Sequence, residues 1–557
     1  FSTTLNLCYS SIEFLLQIDY QQIEAGLIKS RSNPDNLIES FIENAWNDGK
    51  GIDVFRIFDS LNWVEAMKVS INTIRERTGA IAEACIGYTG DILNPDNQKY
   101  TLQYYLDLAR RLEDEGAHIL AIKDMAGLLK PYAAYTLVKE LKQVVDIPIH
   151  LHTHDTSSIQ AATYLKAIEA GVDVVDLALS SMSGLTSQPN FNSVVSMLQG
   201  HERELPVNLQ SLNAFSNYWE DVREFYYPFE SELKAGTAEV YEHEIPGGQY
   251  SNLRPQARGL GLEEKFVTIK KNYALANKLF GDIVKVTPSS KVVGDMAMFM
   301  TANDLDDQDV MKKGDALAFP ESVKDLFRGD LGQPQGGFPK ELQRMVLKGE
   351  TPYTDRPNAH LEPIDFDTEF AEFKKKFDTH QTFTDFLSYK LYPKVFEEYY
   401  EFCQLYGDIS IIPTTSFFYG MKSGEEVLVE LDKGKRLIIK LLFVSKPNDE
   451  GICRASFELN GKVREVKVRD KSFKVEKQSH RKADSAIAGE IGAPLQGRLS
   501  KVLVKKGDTV EENQPLFVIE AMKMETTISA PSAGSIEHVL LEAGTLVEQD
   551  DLVVVLG

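Results

Sequence analysis

Short apolar runs alternate with amphipathic stretches through residues 50–180, and this alternation constrains the possible fold more than any other feature of the chain. Helical periodicity fills the intervals, as in 101–116 and in 131–145, where a proline opens the predicted helix. A strand, a helix and a second strand at such spacing form a βαβ unit, so the sequence predicts a parallel sheet with helices packed on it. The predicted strands lie within 52–59, 80–91, 118–127, 148–155 and 172–181.

Polar residues come at the carboxyl ends of these apolar runs. In a TIM barrel those ends form the catalytic face, although a doubly wound open sheet also binds ligands at its strand ends. We therefore predict an α/β fold and favour the TIM (β/α)8 barrel over the open sheet. The residues concerned are Asp59, Asp91, Lys123, Asp124, His154 and Asp155.

The remainder of the chain divides by pattern. Residues 210–408 are mostly helical in periodicity, and PGGQYSNL at 246–253 is interpreted as a glycine-marked strand or loop. Residues 409–473 alternate as strands do, and Asn460–Gly461 predicts a tight hairpin. Residues 474–489 carry little hydrophobic pattern and are typical of a linker.

An internal repeat occupies the last part of the chain, where 492–519 recurs as 529–556 at an offset of 37 residues. Neither half could bury its alternating apolar residues alone, so we expect the two halves to pack face to face as a flattened, quasi-symmetric β-sandwich. The segment that joins them, 520–528, then becomes an exposed hairpin with Lys523 near its tip.

Composition excludes several functional classes. The net charge of −23 argues against a nucleic-acid partner, because such proteins need a basic surface. No apolar run is long enough for a membrane helix, so no membrane partner is predicted. The first residues lack the basic n-region of a signal peptide, so none is predicted there. The four cysteines are widely spaced without a CxxC pair, which favours free thiols and a cytoplasmic location. Because the chain begins with Phe1 rather than methionine, we expect upstream sequence.

The motif AMKM at 521–524 gives the repeat a specific likeness. Together with the rest of 490–557, it resembles the biotin-carrier domain of biotin-dependent carboxylases, a fold of the lipoyl/biotinyl type. Lipoyl domains usually have an acidic residue before the lysine, so Met522 and Met524 favour biotin. The resemblance implies covalent biotin on Lys523, attached by a biotin protein ligase. The plainer interpretation is an unmodified surface lysine.

His150, His152 and His154 occupy every second position of one predicted strand, so they share a face of the sheet. Two imidazoles spaced in this way can bind a borderline metal such as zinc or manganese. A cluster of hydrogen-bonded, buried histidines fits the spacing equally well. Lys123 ends the neighbouring run. A cation repels a buried ammonium, which favours a depressed pKa or capture of CO₂ as an anionic carbamate, an oxygen ligand.

A series of motifs resembles, in the same order, the carboxyltransferase region of the pyruvate carboxylase family, and the likeness spans about 33–557. The resemblance implies that carbamylated Lys123, His152 and His154 bind a divalent metal, either zinc or manganese, with magnesium or cobalt as further options. It also implies that Thr287 moves a proton between biotin and pyruvate, and that Ser290 lines the biotin pocket. The motifs are GIDVFRIFDSLNW, YTGDI, IKDMAG, HLHTHDTS, SMSGLTSQP, PGGQYSNL, VTPSSKVVGD and PTTSFFYGM.

Neighbouring residues carry less specific expectations. By the resemblance His150 is a bystander, and Asp155 supports a metal ligand or the end of the strand. Read without the resemblance, Thr287 before a proline is simply a helix cap.

The resemblance implies transfer of CO₂ from carboxybiotin to pyruvate to give oxaloacetate, in anaplerosis and gluconeogenesis, by a biotin-dependent carboxylase of the ligase class. It further implies a homotetramer and a biotin carboxylase domain or subunit that uses ATP and bicarbonate, since no glycine-rich ATP loop occurs in this chain. The implied domains are an unmatched segment 1–32, the barrel 33–300, a helical extension 301–408, an allosteric and tetramerisation domain 409–473, a linker 474–489 and the carrier domain 490–557.

Residues 1–32 do not fit the family. Neither the DAHQS-like first-strand segment, with its aspartate metal ligand, nor the second-strand LLRG segment, whose arginine holds pyruvate, occurs there. We therefore expect an N-terminally incomplete barrel with about six of its eight strands, impaired in catalysis on its own. The alternatives are the α subunit of an oxaloacetate decarboxylase, which works in reverse with membrane partners, and an inactive carrier or assembly fragment.

Overall fold

The structure, a computed structural model, divides into two compact units. The first unit contains residues 1–219, 231–392 and 482–557, and the second contains 220–230 and 393–481. No described helix is both long enough and apolar enough to span a membrane. The structure describes residues 3–8, 11–19, 35–230, 233–378, 380–407, 409–448, 450–470, 480–484, 487, 489–521 and 524–557.

A seven-stranded sheet forms the centre of the first unit, with its strands in chain order. Strands β2 to β7 are parallel, whereas β1 is antiparallel to β2. The five predicted strands are confirmed as β3 to β7, although β7 is shorter than its apolar run. The strands are β1 Thr3–Cys8, β2 Ser11–Asp19, β3 Val54–Phe58, β4 Ile81–Gly87, β5 Ile119–Asp124, β6 Ile149–Thr153 and β7 Val174–Val175.

The N-terminal segment that lacks the family motifs nevertheless contributes a strand. β2 pairs in parallel with β3, and its backbone register places Ile18 opposite Ile57. β1 returns beside β2 in the opposite direction, which no strand of a TIM barrel does. The departure of residues 1–32 from the family therefore extends from their motifs to their strand direction.

Helices follow the strands and cover the outer face of the sheet. The predicted helix in 101–116 begins after Thr101, whose side chain accepts a hydrogen bond from the Tyr104 amide. The helix in 131–145 has Pro131 in its first turn, where a proline costs no hydrogen bond. Both predictions are confirmed. The helices are α1 Asp35–Trp46, α2 Val64–Arg77, α3 Leu102–Asp114, α4 Pro131–Leu141 and α5 Gln160–Ala170.

The two faces of the sheet differ in chemistry because side chains alternate along each strand. Phe55 and Ile57 of β3 belong to the main apolar core with the helices. Arg56, between them, is 2% exposed and bonds to buried Glu83 of β4. The inner face of the sheet therefore carries buried charge, which is costly unless each charged group is paired, as Arg56 is with Glu83.

The middle of the chain is helical, as predicted, but PGGQYSNL is not a strand or loop. It opens helix α9, so that prediction is wrong. The prediction failed because the two glycines of this segment have low intrinsic helix propensity, and the segment is helical nevertheless. The helices are α6 Phe191–Met197, α7 Leu209–Glu224, α8 Val240–His243, α9 Gly247–Gly259, α10 Phe266–Leu279, α11 Ser289–Ala302, α12 Asp307–Lys313, α13 Glu321–Arg328, α14 Lys340–Leu347, α15 Phe366–Lys376 and α16 Phe383–Leu391.

The second unit contains two helices and a four-stranded antiparallel sheet. Its strand order is β11-β10-β9-β8. The predicted hairpin at Asn460–Gly461 joins β10 to β11, and both residues have positive φ, as a type I′ turn requires. The elements are α17 Pro393–Tyr406, α18 Thr414–Tyr419, β8 Glu426–Asp432, β9 Lys435–Val444, β10 Ile452–Leu459 and β11 Lys462–Arg469.

The C-terminal repeat folds into two four-stranded sheets, ordered β12-β19-β17-β14 and β16-β15-β13-β18. Corresponding strands, such as β13 and β17, start 37 residues apart. Each sheet takes two strands from each half, so the halves interleave and neither can close its core alone. The strands are β12 Glu490–Gly492, β13 Gly497–Val502, β14 Thr509–Val510, β15 Pro515–Ala521, β16 Met524–Ser529, β17 Gly534–Val539, β18 Leu546–Val547 and β19 Leu552–Leu556.

Candidate active site

Lys123 and the histidines of β6 meet at the carboxyl ends of neighbouring strands. The parallel register of β5 and β6 pairs Lys123 with His152, and His154 directly follows β6. Lys123 is 2% exposed, and its Nζ lies 4.8 Å from the centre of the Phe58 ring. The structure thus brings together the three residues predicted as metal ligands.

The two histidines point the same ring nitrogen at each other. His152 Nε2 lies 3.3 Å from His154 Nε2. His152 Nδ1 donates to Asp176 Oδ2 at 2.7 Å, and His154 Nδ1 donates to the Thr186 carbonyl oxygen at 2.6 Å. Because both Nδ1 atoms carry the proton, both Nε2 atoms of the neutral rings present lone pairs to one point.

The electrostatic surroundings keep these groups less charged than usual. Burial, helped by the positive charge of Lys123, lowers the pKa of His152 to about 3 and that of His154 to about 4. Burial also lowers the pKa of Lys123 to about 8. Near neutral pH both imidazoles are therefore neutral, and an appreciable fraction of Lys123 is a free amine that can react with CO₂.

The donor set fits a divalent metal. Two facing lone pairs repel unless a cation lies between them, and a pair of imidazole nitrogens could hold zinc or manganese. The described residues contain no group of three histidine, cysteine, aspartate or glutamate side chains suited to a metal. A third ligand from this part of the chain would be the carbamate of Lys123, as the resemblance implies.

A buried charge network lies beneath the histidines and was missed in the sequence. Arg56 donates to Glu83 Oε2 at 3.0 Å and to Asp176 Oδ2 at 2.9 Å. His150 contacts both carboxylates, with His150 Nε2 2.9 Å from Asp176 Oδ1. His150 is thus part of the network and no bystander. The available signal was the presence of Arg56 and Glu83 inside apolar strands.

The network has a definite charge state. Burial acts to lower the pKa of His150, but Asp176 and Glu83 outweigh it and raise that pKa to about 9. Burial acts to raise the pKa of Asp176, but His150 and Arg56 hold it well below its usual range. Two cations and two carboxylates therefore balance one another next to His152.

Two aspartates at the same strand ends have structural roles. Asp124 is fully buried and accepts hydrogen bonds from the amides of Leu128 and Leu129, which shapes the loop after β5. Asp155 accepts the Gln160 amide at 3.1 Å, at the start of α5. Asp155 thus contacts the start of α5, and Asp176 is the carboxylate that contacts His152.

Thr287 is exposed and lies between two anchored residues. Lys285 is buried, and its Nζ bonds to Glu244 Oε2 at 2.7 Å and to Thr89 Oγ1 at 3.0 Å. Ser289 Oγ donates to the Val284 carbonyl oxygen at 2.7 Å. The cap interpretation of Thr287 is wrong, because the N-cap of α11 is Pro288 and has no side-chain cap bond.

The same segment lies at the strand ends that carry Lys123. The Ser289 hydroxyl is 3.3 Å from the Ser60 carbonyl oxygen, just after β3. The Tyr88 amide, one residue after β4 and next to Thr89, donates to the Lys123 carbonyl oxygen at 2.9 Å. Ser290 is 1% exposed in the first turn of α11. Lys523 lies outside the described residues.

Gly247 shows why the PGG motif belongs to this site. Its amide donates to the Met125 carbonyl oxygen at 2.9 Å, which brings the start of α9 against the loop after β5. A side-chain carbon at this position would lie 3.2 Å from His154 Nδ1 and 3.3 Å from Thr156 Oγ1. Any side chain here would force these neighbours to shift by a few tenths of an ångström, so glycine suits the close approach of the helix to His154.

Sequence comparisons match the chain to three known families. The HMGL-like model matches residues 40–218, the conserved carboxylase domain matches 240–440, and the biotin-requiring enzyme model matches 489–556. Pyruvate carboxylase from Bacillus subtilis is 50% identical over 93% of this chain and 45% of its own length. The mitochondrial pyruvate carboxylase of Homo sapiens is 41% identical over 97% of the chain and 46% of its own length.

Solved structures agree with these matches. The carboxyl transferase domain of Rhizobium etli pyruvate carboxylase has a TM-score of 0.76 and 50% identity, covering 79% of this chain and 73% of that domain. The complete multifunctional enzyme from the same organism gives the same TM-score, with 43% of its length covered. These neighbours confirm the predicted TIM-barrel fold with a C-terminal biotinyl-type sandwich. The chain spans about half the length of the curated relatives it matches.

Proposed function

This chain belongs to the pyruvate carboxylase family, and we propose that it performs the carboxyl-transfer part of that family's reaction. A carboxyl group moves from a nitrogen of carboxylated biotin to the methyl carbon of pyruvate, and a proton from that methyl carbon moves to the nitrogen. The products are oxaloacetate and biotin. The observation that carries the proposal is the convergence of two Nε2 lone pairs, 3.3 Å apart, beside buried Lys123.

His152, His154 and carbamylated Lys123 hold the metal in this proposal. When bound, the metal acts as a Lewis acid that stabilises negative charge on the pyruvate carbonyl oxygen. Biotin supplies a carboxyl carrier, attached at Lys523. The buried surroundings of Lys123 and the histidines keep water away from the reacting carbon, so the carboxyl group is not lost to solvent.

Thr287 carries the proton between the two substrates. Its hydroxyl is both a donor and an acceptor, so it can give one proton and take another in a single step. The anchored neighbours Lys285 and Ser289 fix its backbone, while its side chain remains exposed to an incoming cofactor. Ser290, in the first turn of α11, is proposed to line the biotin pocket.

The relatives support this reaction over the reverse one. The matched proteins are named pyruvate carboxylase, and their likeness runs through nearly the whole chain, including the second unit. The Rhizobium etli carboxyl transferase domain has been solved with pyruvate and biocytin. A decarboxylase α subunit is the less favoured alternative, and an inactive carrier fragment is the outcome that the experiment below distinguishes.

We propose the domain boundaries, the assembly and the location from the same resemblance to pyruvate carboxylases. The proposed division is a barrel over 33–300, a helical extension over 301–408, an allosteric and tetramerisation domain over 409–473 and a carrier over 490–557. The proposed assembly is a homotetramer that works with a biotin carboxylase domain consuming ATP and bicarbonate. The free cysteines among the described residues, Cys85, Cys403 and Cys453, support a reducing, cytoplasmic location.

The test uses the full chain with free carboxybiotin and pyruvate, and measures oxaloacetate through a coupled malate dehydrogenase assay. We expect pyruvate-dependent oxaloacetate, and loss of at least a hundredfold when His152 and His154 are both replaced by alanine. A wild-type chain that binds metal yet gives no product supports the inactive-fragment alternative. Equal activity in the double variant would place the reaction elsewhere in the molecule.

A further inference from the structure

Asp176 connects the buried charge network to a metal-ligand histidine. Its Oδ2 accepts hydrogen bonds from His152 Nδ1 at 2.7 Å and from Arg56 Nη1 at 2.9 Å. Its Oδ1 contacts His150 Nε2 at 2.9 Å. Each carboxylate oxygen therefore has a fixed donor, and the carboxylate cannot rotate without breaking a bond.

The two ligand histidines are oriented by different kinds of partner. His154 Nδ1 donates to the Thr186 backbone carbonyl, which accepts hydrogen bonds and cannot donate one. His152 Nδ1 faces the Asp176 carboxylate, which likewise only accepts. The tautomer of His152 thus depends on a side chain that a single substitution can change, whereas that of His154 depends on the main chain.

We propose that Asp176 is the positioning residue of the metal site. It fixes His152 as the tautomer with a proton on Nδ1, so that the Nε2 lone pair faces the metal and the imidazole becomes a stronger ligand. Arg56 and His150 hold Asp176 in place for this task. The inference rests on the proposed function, because it requires that His152 and His154 bind a metal.

The competing explanation is that Asp176 belongs to a purely structural charge network. A comparison with Glu83 separates this explanation from a positioning role. Glu83 is 1% exposed and bonds to the same two cations, Arg56 and His150. None of its hydrogen bonds or ion pairs reaches His152 among the described contacts. Asp176→Asn and Glu83→Gln each remove one buried negative charge while keeping the side-chain shape. Only Asp176→Asn changes the partner of the ligand histidine.

The experiment measures binding of Co²⁺ to the full chain in bicarbonate buffer, by visible absorption and by competition with a chelator. We expect Asp176→Asn to raise the dissociation constant about 10- to 100-fold and to alter the absorption band. Glu83→Gln should change the constant less than about threefold. Equal weakening in both variants, or no weakening in Asp176→Asn, overturns the proposal.

Failure of the wild-type chain to bind Co²⁺ would instead overturn the metal site on which the proposed function depends. A second measurement applies even if Asp176→Asn does not fold. Nitrogen-15 NMR of the metal-free wild-type chain, with His152→Asn used to assign the signal, reports which ring nitrogen of His152 carries the proton. A proton on Nδ1 supports the proposal, and a proton on Nε2 overturns it.

Discussion

At the scale of single residues, Lys123 is placed where an ammonium is unfavourable. It is buried near Arg56, His152 and His154, and burial lowers its pKa to about 8. A free amine in such a place reacts readily with CO₂, and the product replaces a positive charge by a negative one. Carbamylation would thereby turn a group that repels a metal into one that binds it.

Lys123→Met is therefore expected to abolish the carbamate and weaken metal binding at least tenfold. Methionine has similar length and no amine, so the fold should persist. Carbon-13 NMR in labelled bicarbonate should show a carbamate signal for the wild-type chain that is missing from the variant. Lys139→Met, on the exposed face of α4, is the matched control and should retain the signal. A persistent signal in Lys123→Met would assign the carbamate to another lysine.

Thr287 makes a second prediction that separates catalysis from stability. Thr287→Ala should lower the rate of oxaloacetate formation by about 10²- to 10⁴-fold, because the proton carrier is lost. Its exposed side chain makes no cap bond, so the free energy of unfolding should change by less than about 0.5 kcal/mol.

Thr287→Ser keeps the hydroxyl and serves as the control. It should retain most of the activity in the same coupled assay, while urea unfolding and metal content stay unchanged in both variants. If Thr287→Ala kept more than half of the wild-type rate, another group would have to move the proton.

The proximity of Lys123, His152 and His154 could be predicted because their spacing along strands is visible in the sequence. His152 and His154 share a face by the two-residue period, and Lys123 ends the neighbouring strand. Asp176 could not be predicted in this way. Its contact with His152 arises from the packing of the segment after β7 and leaves no local signature. Its charged partners were visible only as polar residues within apolar strands.

At the scale of elements, the sequence at the start of α9 predicted a strand or loop, whereas the structure has a closely packed helix there. The glycines that open α9 lower its helix propensity, yet they allow the helix to start next to His154. Strands β3 to β7, helices α3 and α4 and the hairpin at Asn460–Gly461 were evident from periodicity and turn residues, whereas β1 and β2 were not predicted. Tertiary packing overrides local preference mainly where an element contacts the site.

The buried position of His243, at the end of α8, predicts that the fold loses stability in acid. It is 3% exposed, its Nδ1 accepts the Ile245 amide at 3.0 Å, and its ring stacks on Tyr250. Burial and the charge of Lys270 lower the pKa of His243 to about 4, below the value of 6.5 for an unperturbed histidine. Between those pH values the unfolded chain binds more protons, so stability falls as pH falls from about 6.5 to 4.

We expect the His243 imidazole to account for about 2–3 kcal/mol of the acid-induced loss in the free energy of unfolding. His243→Phe keeps the ring stacking and removes the titration. It should be about 1 kcal/mol less stable than wild type at pH 8, because the Ile245 amide loses its acceptor. In urea unfolding of the metal-free chain, the difference in free energy of unfolding between wild type and His243→Phe should shrink or reverse by pH 5. Parallel pH profiles for the two proteins would show that His243 does not titrate as expected.

At the scale of the whole molecule, the proposed function divides one reaction between the C-terminal repeat, as the carrier, and the barrel, as the receiving site. The offset of 37 residues sufficed to predict a β-sandwich, because each half leaves its apolar alternation unburied. The interleaving of the halves could not be predicted, since face-to-face stacking of two halves explains the repeat equally well. Tethering a carrier raises its effective concentration at the receiving site to roughly the mM range.

Lys523 is expected to be the single attachment point of that tether. Co-expression with a biotin protein ligase should raise the intact mass of the chain by one biotinyl group, and Lys523→Ala should abolish the increase. Lys506→Ala, at an exposed lysine of the same carrier, should leave it unchanged. Lys523→Ala should still convert pyruvate with free carboxybiotin, because the receiving site is intact, but at low cofactor concentration it should fall far below the tethered enzyme. Mass labelling that survives in Lys523→Ala would place biotin on another lysine, and loss of the reaction with free carboxybiotin would show that Lys523 also serves the receiving site.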